Sequence, residues 1–326
     1  MKLGLNCFGQ TLEVSSSSCD VLSYVSSLKR IHVFSISFVD PNTLPNNLPK
    51  LIVENSSTAD LTFDHASRTM ILRADWSRIN KSGTLESLLG QLLDIACLDS
   101  GAIPIHASAI SSKHGAYIFV GGSGAGKTSL SFSLCSQFGF RLIANDYLSF
   151  KPVRQGDIAI CQGDDFIDFR KLPFPEMKNF LSNNTIEKIQ DRFSSDTTPW
   201  TKSTPPFIFS DLDLMRVNFP CLIKGIFFPN ISRNIYEFTN RLSLSRTTTS
   251  LLWEITGPVR GVMSFVVDNS GKVISPSVSL EPKTGWEYVC ATVNTLADQC
   301  PSWAVHAPLK TALEFVHSQI LDQEQN

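Results

Sequence analysis

The chain has 326 residues, 42% of them hydrophobic and 18% charged, with a formal net charge of −2. That length and apolar content suffice for one large domain or two ordinary ones with a sizeable core, and they exclude an intrinsically disordered chain. The near-neutral balance offers no global basic surface for nucleic acid or an anionic membrane.

Phe is abundant at 22 residues against five Tyr and five Trp, which reads as core packing and not as a base-stacking platform. The cysteines, at 7, 19, 97, 135, 161, 221, 290 and 300, form no CxxC pair and have no zinc-finger spacing. Cys97 and Cys135 fall inside expected helices, as buried thiols do. No run reaches the ~18 apolar residues of a membrane span, and the stretch from Met1 to Phe8 lacks a sustained apolar h-region. The expected setting is a reducing cytoplasm.

In chain order, residues 1–80 read as β-rich. Strands are expected over Ile31–Val39, Leu51–Glu54 and Thr69–Ala74, with Pro41, Pro45 and Pro49 marking a loop between the first two. Thr84–Leu98 is the clearest helix. Its apolar positions 85, 88, 89, 92, 93 and 96 share one face, and Gly101 follows its end. Residues 1–100 thus form a β-rich N-terminal region ending in a helix and integral to the fold. Residues 101–326 form the second domain.

Ile103–Ile110 predicts a strand interrupted by His106 and Ser108, and Ala116–Val120 a short buried strand. The turn between them, at Ser111–Gly115, exposes His114. Thr128–Gln137 is compatible with a helix and Arg141–Ala144 with the next strand, which ends at Asn145 and Asp146. Ile158–Phe169 reads as a hairpin around an acidic turn that holds Asp164 and Asp165. Residues 171–220 are punctuated by proline and read as a mobile or lid-like region. Leu222–Pro229 predicts a strand, Leu244–Trp253 and Trp286–Ala297 helices, Trp303–Ala307 a closing strand and Lys310–Ile320 a last helix.

Residues 121–128 carry the strongest functional signal. Gly121, Gly122, Ser123, Gly124, Ala125, Gly126, Lys127 and Thr128 complete the pattern G-x-x-x-x-G-K-[ST] between an expected strand and an expected helix. The glycines let backbone N–H groups turn inward around phosphates. Lys127 supplies charge for the β- and γ-phosphates, and the Thr128 hydroxyl is placed for Mg²⁺.

His106, the loop and Asp146 follow one another in that order. Asp146 ends its strand, where ligands gather in an α/β sheet, and His106 shares the pocket if its strand runs beside the loop strand. Mg²⁺ requires hard oxygen ligands, which Thr128 and Asp146 supply. A hydroxyl nucleophile needs a nearby base, a carboxylate or a His. The alternative metal ligand lies at the end of Phe207–Asp213, a short apolar run led by proline. Arg170, Arg241 and Arg246 are further candidates to reach phosphate, with solvated surface positions as the default.

The ordered set Ile105–Ala109, Gly121–Thr128 and Leu142–Asp146 resembles HPr kinase/phosphorylase and its HPr-kinase-related relatives. It is also similar to the core of ATP-dependent phosphoenolpyruvate carboxykinases. The resemblance covers 103–150, with a weaker echo in Lys224–Pro229 and in the helix after Arg241–Ser245.

It implies an α/β fold, a mixed-sheet P-loop core of the HPr kinase/phosphoenolpyruvate carboxykinase type, preceded here by the β-rich region. It also implies that Lys127 and the loop bind ATP, that Asp146 helps hold Mg²⁺ and that His106 is the active-site histidine. Asn145 stands where HPr kinase has the aspartate credited with acid/base work, and an amide cannot accept that proton at neutral pH.

The expected activity is therefore transfer of the ATP γ-phosphoryl group to a hydroxyl, with Ser or Thr of a peptide or small protein as first acceptor. A free amino acid as acceptor, and a non-catalytic ATP-binding partner or scaffold, are the alternatives. Neither nucleic acid nor membrane is an expected partner, and homo-oligomerisation is left open.

Overall fold

The computed structural model describes residues 1–28, 30–31, 34–164, 166–167, 187, 207–208, 217–232, 237–259, 266–275 and 285–325. The architecture is mixed α/β with mixed sheets. The chain forms two compact units, Met1–Pro104 with Ile255–Val289, and Ile105–Glu254 with Cys290–Asn326. The sequence reading kept 101–326 together, whereas Ile255–Val289 belongs to the first unit. No helix among the described residues is long and apolar enough to cross a membrane.

The first unit contains β1 (Lys2–Cys7), β2 (Gln10–Ser16), α1 (Cys19–Ser27), β3 (Arg30–Ile31), β4 (Phe34–Val39), β5 (Lys50–Asn55), β6 (Asp60–Asp64), β7 (Thr69–Ala74), α2 (Trp76–Ile79) and α3 (Thr84–Asp99). Its sheet has the order β3-β4-β1-β2-β5-β7-β6, with parallel pairing only at β2/β5 and β5/β7. The run expected as one strand over Ile31–Val39 is two strands paired with each other. The β1/β2 hairpin turns at Phe8 and Gly9, both at positive φ (52° and 68°), without the Asn-Gly or Asp-Gly signal that usually marks such a turn.

Helix α3 buries the stripe expected of it, including Leu85, Leu88, Leu89, Leu92 and Leu93, and packs on β2 and β5. Its N-cap is Gly83, which has no side-chain acceptor to offer. Ser82 Oγ accepts from the Thr84 N–H at 3.2 Å, and residues 267–269 bond to the same segment. Thr84 Oγ1 donates to the Val267 carbonyl at 2.9 Å, and the Lys81 N–H donates to Asn269 Oδ1 at 2.8 Å. Hydrogen bonds from Thr84 and Lys81 thus tie residues 267–269 to the segment that begins α3.

The second unit begins within β8 (Ile103–Ile105) and continues through β9 (Ala107–Ser111), β10 (Ala116–Val120), α4 (Lys127–Phe138), β11 (Arg141–Ala144), β12 (Leu148–Pro152), β13 (Ile158–Gly163), β14 (Phe166–Ile167), β15 (Phe207–Ile208), β16 (Cys221–Ile231), β17 (Phe238–Arg241) and α5 (Leu244–Val259, which runs on into the first unit). It closes with the end of α6 (Trp286–Gln299), β18 (Ser302–Ala307) and α7 (Leu309–Gln325). Strands β11, β9, β10, β16 and β18 lie side by side in that order, and β17 pairs with β18. Pairing is parallel at β10/β16 and β16/β18, and antiparallel at β11/β9, β9/β10 and β17/β18.

The expected hairpin over Ile158–Phe169 is different in the structure. Strand β13 pairs with β12, and the connection is the turn at Val153–Asp157. Most of 171–220, including the region read as lid-like, lies outside the described residues.

Helices α4 and α7 cover one face of this sheet. The core between them holds Tyr117, Phe119, Phe227, Trp303, Leu130, Phe132, Leu313 and Val316. Phe227 is central: its ring stacks on Trp303 at 4.9 Å and on Phe119 at 5.7 Å between centroids. Gly225 lets Tyr117 lie across β16, because a Cβ there would meet the Tyr117 ring at 2.9 Å.

Phe227→Ala is expected to lower stability by about 3–5 kcal/mol through loss of burial and the cavity left behind. Urea unfolding followed by tryptophan fluorescence measures this; a loss below 1 kcal/mol would contradict the packing described.

Candidate functional site

The loop at 121–128 connects β10 to α4. Gly124 and Gly126 take left-handed backbone conformations, with φ of 84° and 92°. Gly126 is also sterically constrained: an added Cβ would lie 2.4 Å from Ile231 Cγ1. The Ile231 N–H donates to the Ala125 carbonyl at 3.0 Å, so the end of β16 holds the loop from one side. Gly126 is the N-cap of α4 and offers the helix start no side-chain acceptor. The N–H groups of a helix's first turn and its dipole favour an anion.

Lys127 is buried, 5% exposed, and its Nζ donates to the carbonyls of Gly121 at 2.6 Å and Gly122 at 3.2 Å. Burial pushes its pKa down from 10.5, opposed by the negative charges of Asp146 and Glu254. A desolvated ammonium ringed by carbonyl oxygens is a strong partner for phosphate.

His106 and Asp146 come together because of strand order. Strand β9 lies between β10 and β11 and runs antiparallel to both, with Val120 opposite Ala107. The start of β9 and the end of β11 therefore meet at the edge where the loop leaves β10. His106 occupies the break between β8 and β9, so the expected continuous strand is interrupted at the histidine itself. His106 Nε2 and Asp146 Oδ1 are 2.7 Å apart, and both side chains are partly exposed. With the carboxylate accepting, Nε2 carries the proton and Nδ1 is the basic nitrogen.

Asn145 is oriented differently from His106 and Asp146. It is 3% exposed, and its Oδ1 is buried without a hydrogen-bond partner. Its backbone is held by Asp164, which the sequence places in an acidic turn. Asp164 is instead 3% exposed and accepts from the Asn145 N–H at 2.6 Å and the Asp146 N–H at 3.1 Å. Gly163 permits this close crossing, since a Cβ there would meet the Ile143 carbonyl at 2.5 Å. The signal in the sequence was a glycine followed by two aspartates at the end of an apolar strand, which a surface turn also explains.

Glu254 was not singled out from the sequence. It lies on α5 three residues beyond the buried Leu251 and seven beyond the buried Thr247, on the flank of the inward stripe. That spacing was the available clue. Thr128 follows Lys127 in the first turn of α4. His114 is exposed in the β9/β10 turn, and Arg241 and Arg246 are exposed on β17 and α5. Asp165, Arg170 and the alternative metal ligand Asp213 lie outside the described residues. None of the eight cysteines is in a disulfide, and Cys97 and Cys135 are buried in their helices as expected. No cluster of three or more His, Cys, Asp or Glu with metal-binding geometry occurs among the described residues.

Compared with known proteins, the chain matches no family profile and no curated protein.

Two outcomes are expected from this geometry. Because burial lowers the Lys127 pKa, the folded state binds fewer protons than the unfolded state between the lowered value and 10.5, so stability from this group rises with pH across that window. Lys127→Met removes that rise, and urea unfolding at several pH values from 7 upward reads the difference in slope; parallel slopes would contradict a buried ammonium.

Asp164→Ala leaves two amides without their acceptor, at about 1–3 kcal/mol each. Amide exchange at Asn145 and Asp146 should accelerate selectively, and unchanged protection would show that Asp164 does not hold this turn.

Proposed function

We propose that the chain is an ATP-dependent kinase with a P-loop core like that of HPr kinase, transferring the γ-phosphoryl group to a hydroxyl. The observation that carries this reading is the His106–Asp146 contact at 2.7 Å, formed at the sheet edge from which the Lys127 loop departs. A generic nucleotide-binding loop needs no such pair. Phosphoryl transfer to an alcohol needs a base for the hydroxyl proton and cationic groups for the phosphate.

The loop fits a triphosphate by its left-handed glycines, its uncapped helix start and its buried ammonium. Thr128 Oγ1 and the Asp146 carboxylate are the oxygens that would hold Mg²⁺, which neutralises phosphate charge when bound. Lys127 provides further positive charge at the phosphates. His106 Nδ1 takes the proton of the acceptor hydroxyl as its oxygen bonds to the γ-phosphorus and the bond from that phosphorus to the leaving ADP oxygen breaks. Asp146 orients the ring. Asp164 fixes the backbone that presents Asp146. The first acceptor class is a Ser or Thr of a peptide or small protein, and a free amino acid is the smaller alternative.

Asn145 favours a second reading, a nucleotide-binding partner without turnover. Its buried amide cannot accept a proton and stands where the kinase resemblance calls for a carboxylate. The two readings separate in one experiment. Incubation with γ-labelled ATP, Mg²⁺ and panels of peptides, amino acids and small proteins is expected to give labelled acceptor, and His106→Ala is expected to lower the rate by about 10²–10⁴-fold. ATP-dependent thermal stabilisation with no transfer to any acceptor would sink the kinase reading and leave the binding partner.

A further inference from the structure

We propose that the first unit has a binding site of its own, an open cleft at the carboxyl ends of β2, β5 and β7 that takes an organic cation, an ammonium or guanidinium group. The proposal goes beyond the nucleotide reading and does not rest on it, since the lining of the cleft lies wholly within Met1–Pro104.

Sheet topology places the cleft. Strands β2, β5 and β7 are parallel neighbours, with Ser16 opposite Val53 and Asn55 opposite Ala74. Their carboxyl ends therefore lie side by side, and ligands of α/β sheets collect in the crevice outside such ends. The cleft there has a volume of about 630 Å³ and is lined by residues that follow β2, end β5 and follow β7. That volume falls within the ~300–1,000 Å³ of small-molecule sites.

Its walls are held from behind. Ser16 Oγ donates to the Val53 carbonyl at 2.7 Å and accepts from the Ser18 N–H at 3.1 Å, which fixes the start of α1 beside β5. On the other side, Asn269 Nδ2 donates to the Ser77 carbonyl at 2.9 Å and lies 3.0 Å from Asn80 Oδ1. Tyr24 of α1 meets Trp76 in a T-shaped contact, 5.2 Å between centroids, and its hydroxyl donates to the Glu86 carboxylate of α3. The Trp76 ring is thus set in place before a ligand arrives, which lowers the entropy cost of binding.

The lining sets the chemistry. Asp20 and Asp75 make it negative, and no Lys, Arg or His is among its residues. Among the described residues, the Asp20 and Asn55 side chains have no hydrogen-bond partner. Asp75 uses only Oδ1, which accepts from the Ser77 N–H at 2.9 Å and the Ser77 hydroxyl at 2.7 Å. Like charge repels an anion from this cleft. A cation gains a charge-assisted hydrogen bond to each carboxylate it reaches, and a Trp face adds a cation–π contact. Each acid also suits the start of its own helix, Asp20 in the first turn of α1 and Asp75 as the N-cap of α2. Those local roles do not account for two carboxylates meeting in one cleft with an indole.

The test is titration calorimetry on the 326-residue chain. The probes are agmatine, a free amine that carries both cations, and a short blocked peptide centred on arginine. Its citrulline counterpart has the same shape and no charge. Binding of agmatine alone identifies the ligand as a free amine, and binding of the arginine peptide identifies it as a basic side chain. The citrulline peptide is expected not to bind. Asp75→Asn keeps a good cap and should weaken cation binding by roughly 10- to 150-fold, the range of one lost hydrogen bond to a charged group. Asp20→Asn, at an exposed position, should weaken it too, and carries the charge test by itself if Asp75→Asn disturbs α2. Trp76→Leu should weaken it by about 2- to 30-fold.

Failure of both cations to bind, equal binding of the citrulline peptide, or an affinity unchanged by both aspartate substitutions would overturn the site. Binding of sorbitol without either cation would overturn it as well, because the cleft would then serve neutral polyols.

Discussion

The contact on which the candidate site depends is the seating of the glycine-rich loop against the end of β16. Gly126 lies so close to Ile231 that no side chain fits between them, and the Ile231 N–H is bonded to the Ala125 carbonyl. A loop of small residues has little intrinsic shape, because glycine carries the largest conformational freedom. Here its shape is imposed by a strand more than 100 residues away. That strand is in turn fixed by the Phe119, Phe227 and Trp303 stack beneath α4 and α7. The aromatic core and the loop geometry are therefore two ends of one packing arrangement.

Charge is concentrated on this scaffold at a cost. Lys127 is an ammonium in a nearly water-free position, and Asp164 is a carboxylate spent on two backbone amides. Each is tolerated because its hydrogen bonds replace those of water. Asp164 allows Asp146 to remain partly exposed and in contact with His106, while Asn145 is turned inward. The adjacent residues of one strand end are thus divided between a partly exposed carboxylate and a buried amide.

Legibility varied with the range of the interaction. The α3 stripe, the β10 strand, the α4 helix and the loop between the last two are local patterns, and the chain adopts them where the periodicity places them. The same logic failed where a pairing partner decided the outcome. A run such as Ile31–Val39 alternates equally well as one strand or as two short paired ones. Strand β13 alternates identically whether it turns into the residues after it or pairs with β12 before it. The acidic pair at Asp164–Asp165 looked like a turn because its composition is that of a turn. The burial of Asp164 depends on Gly163 allowing β13 to cross close to Ile143.

What the sequence by itself determined is the order and chemistry of the pieces. It held a histidine, a glycine-rich loop ending in Lys127 and Thr128, and a strand ending in Asn145 and Asp146, with α/β periodicity around them. Only the tertiary structure decided that β9 runs antiparallel between β10 and β11, which brings His106 and Asp146 into contact. It also decided that Asp164 is buried beneath them, that Glu254 lies close enough to Lys127 to act on its charge, and that Ile255–Val289 returns to the first unit. The reason is physical. Motif spacing and helical period are properties of neighbouring residues, whereas strand neighbours, buried charges and the partners of a helix start are set by contacts between segments that the chain brings together only when it folds.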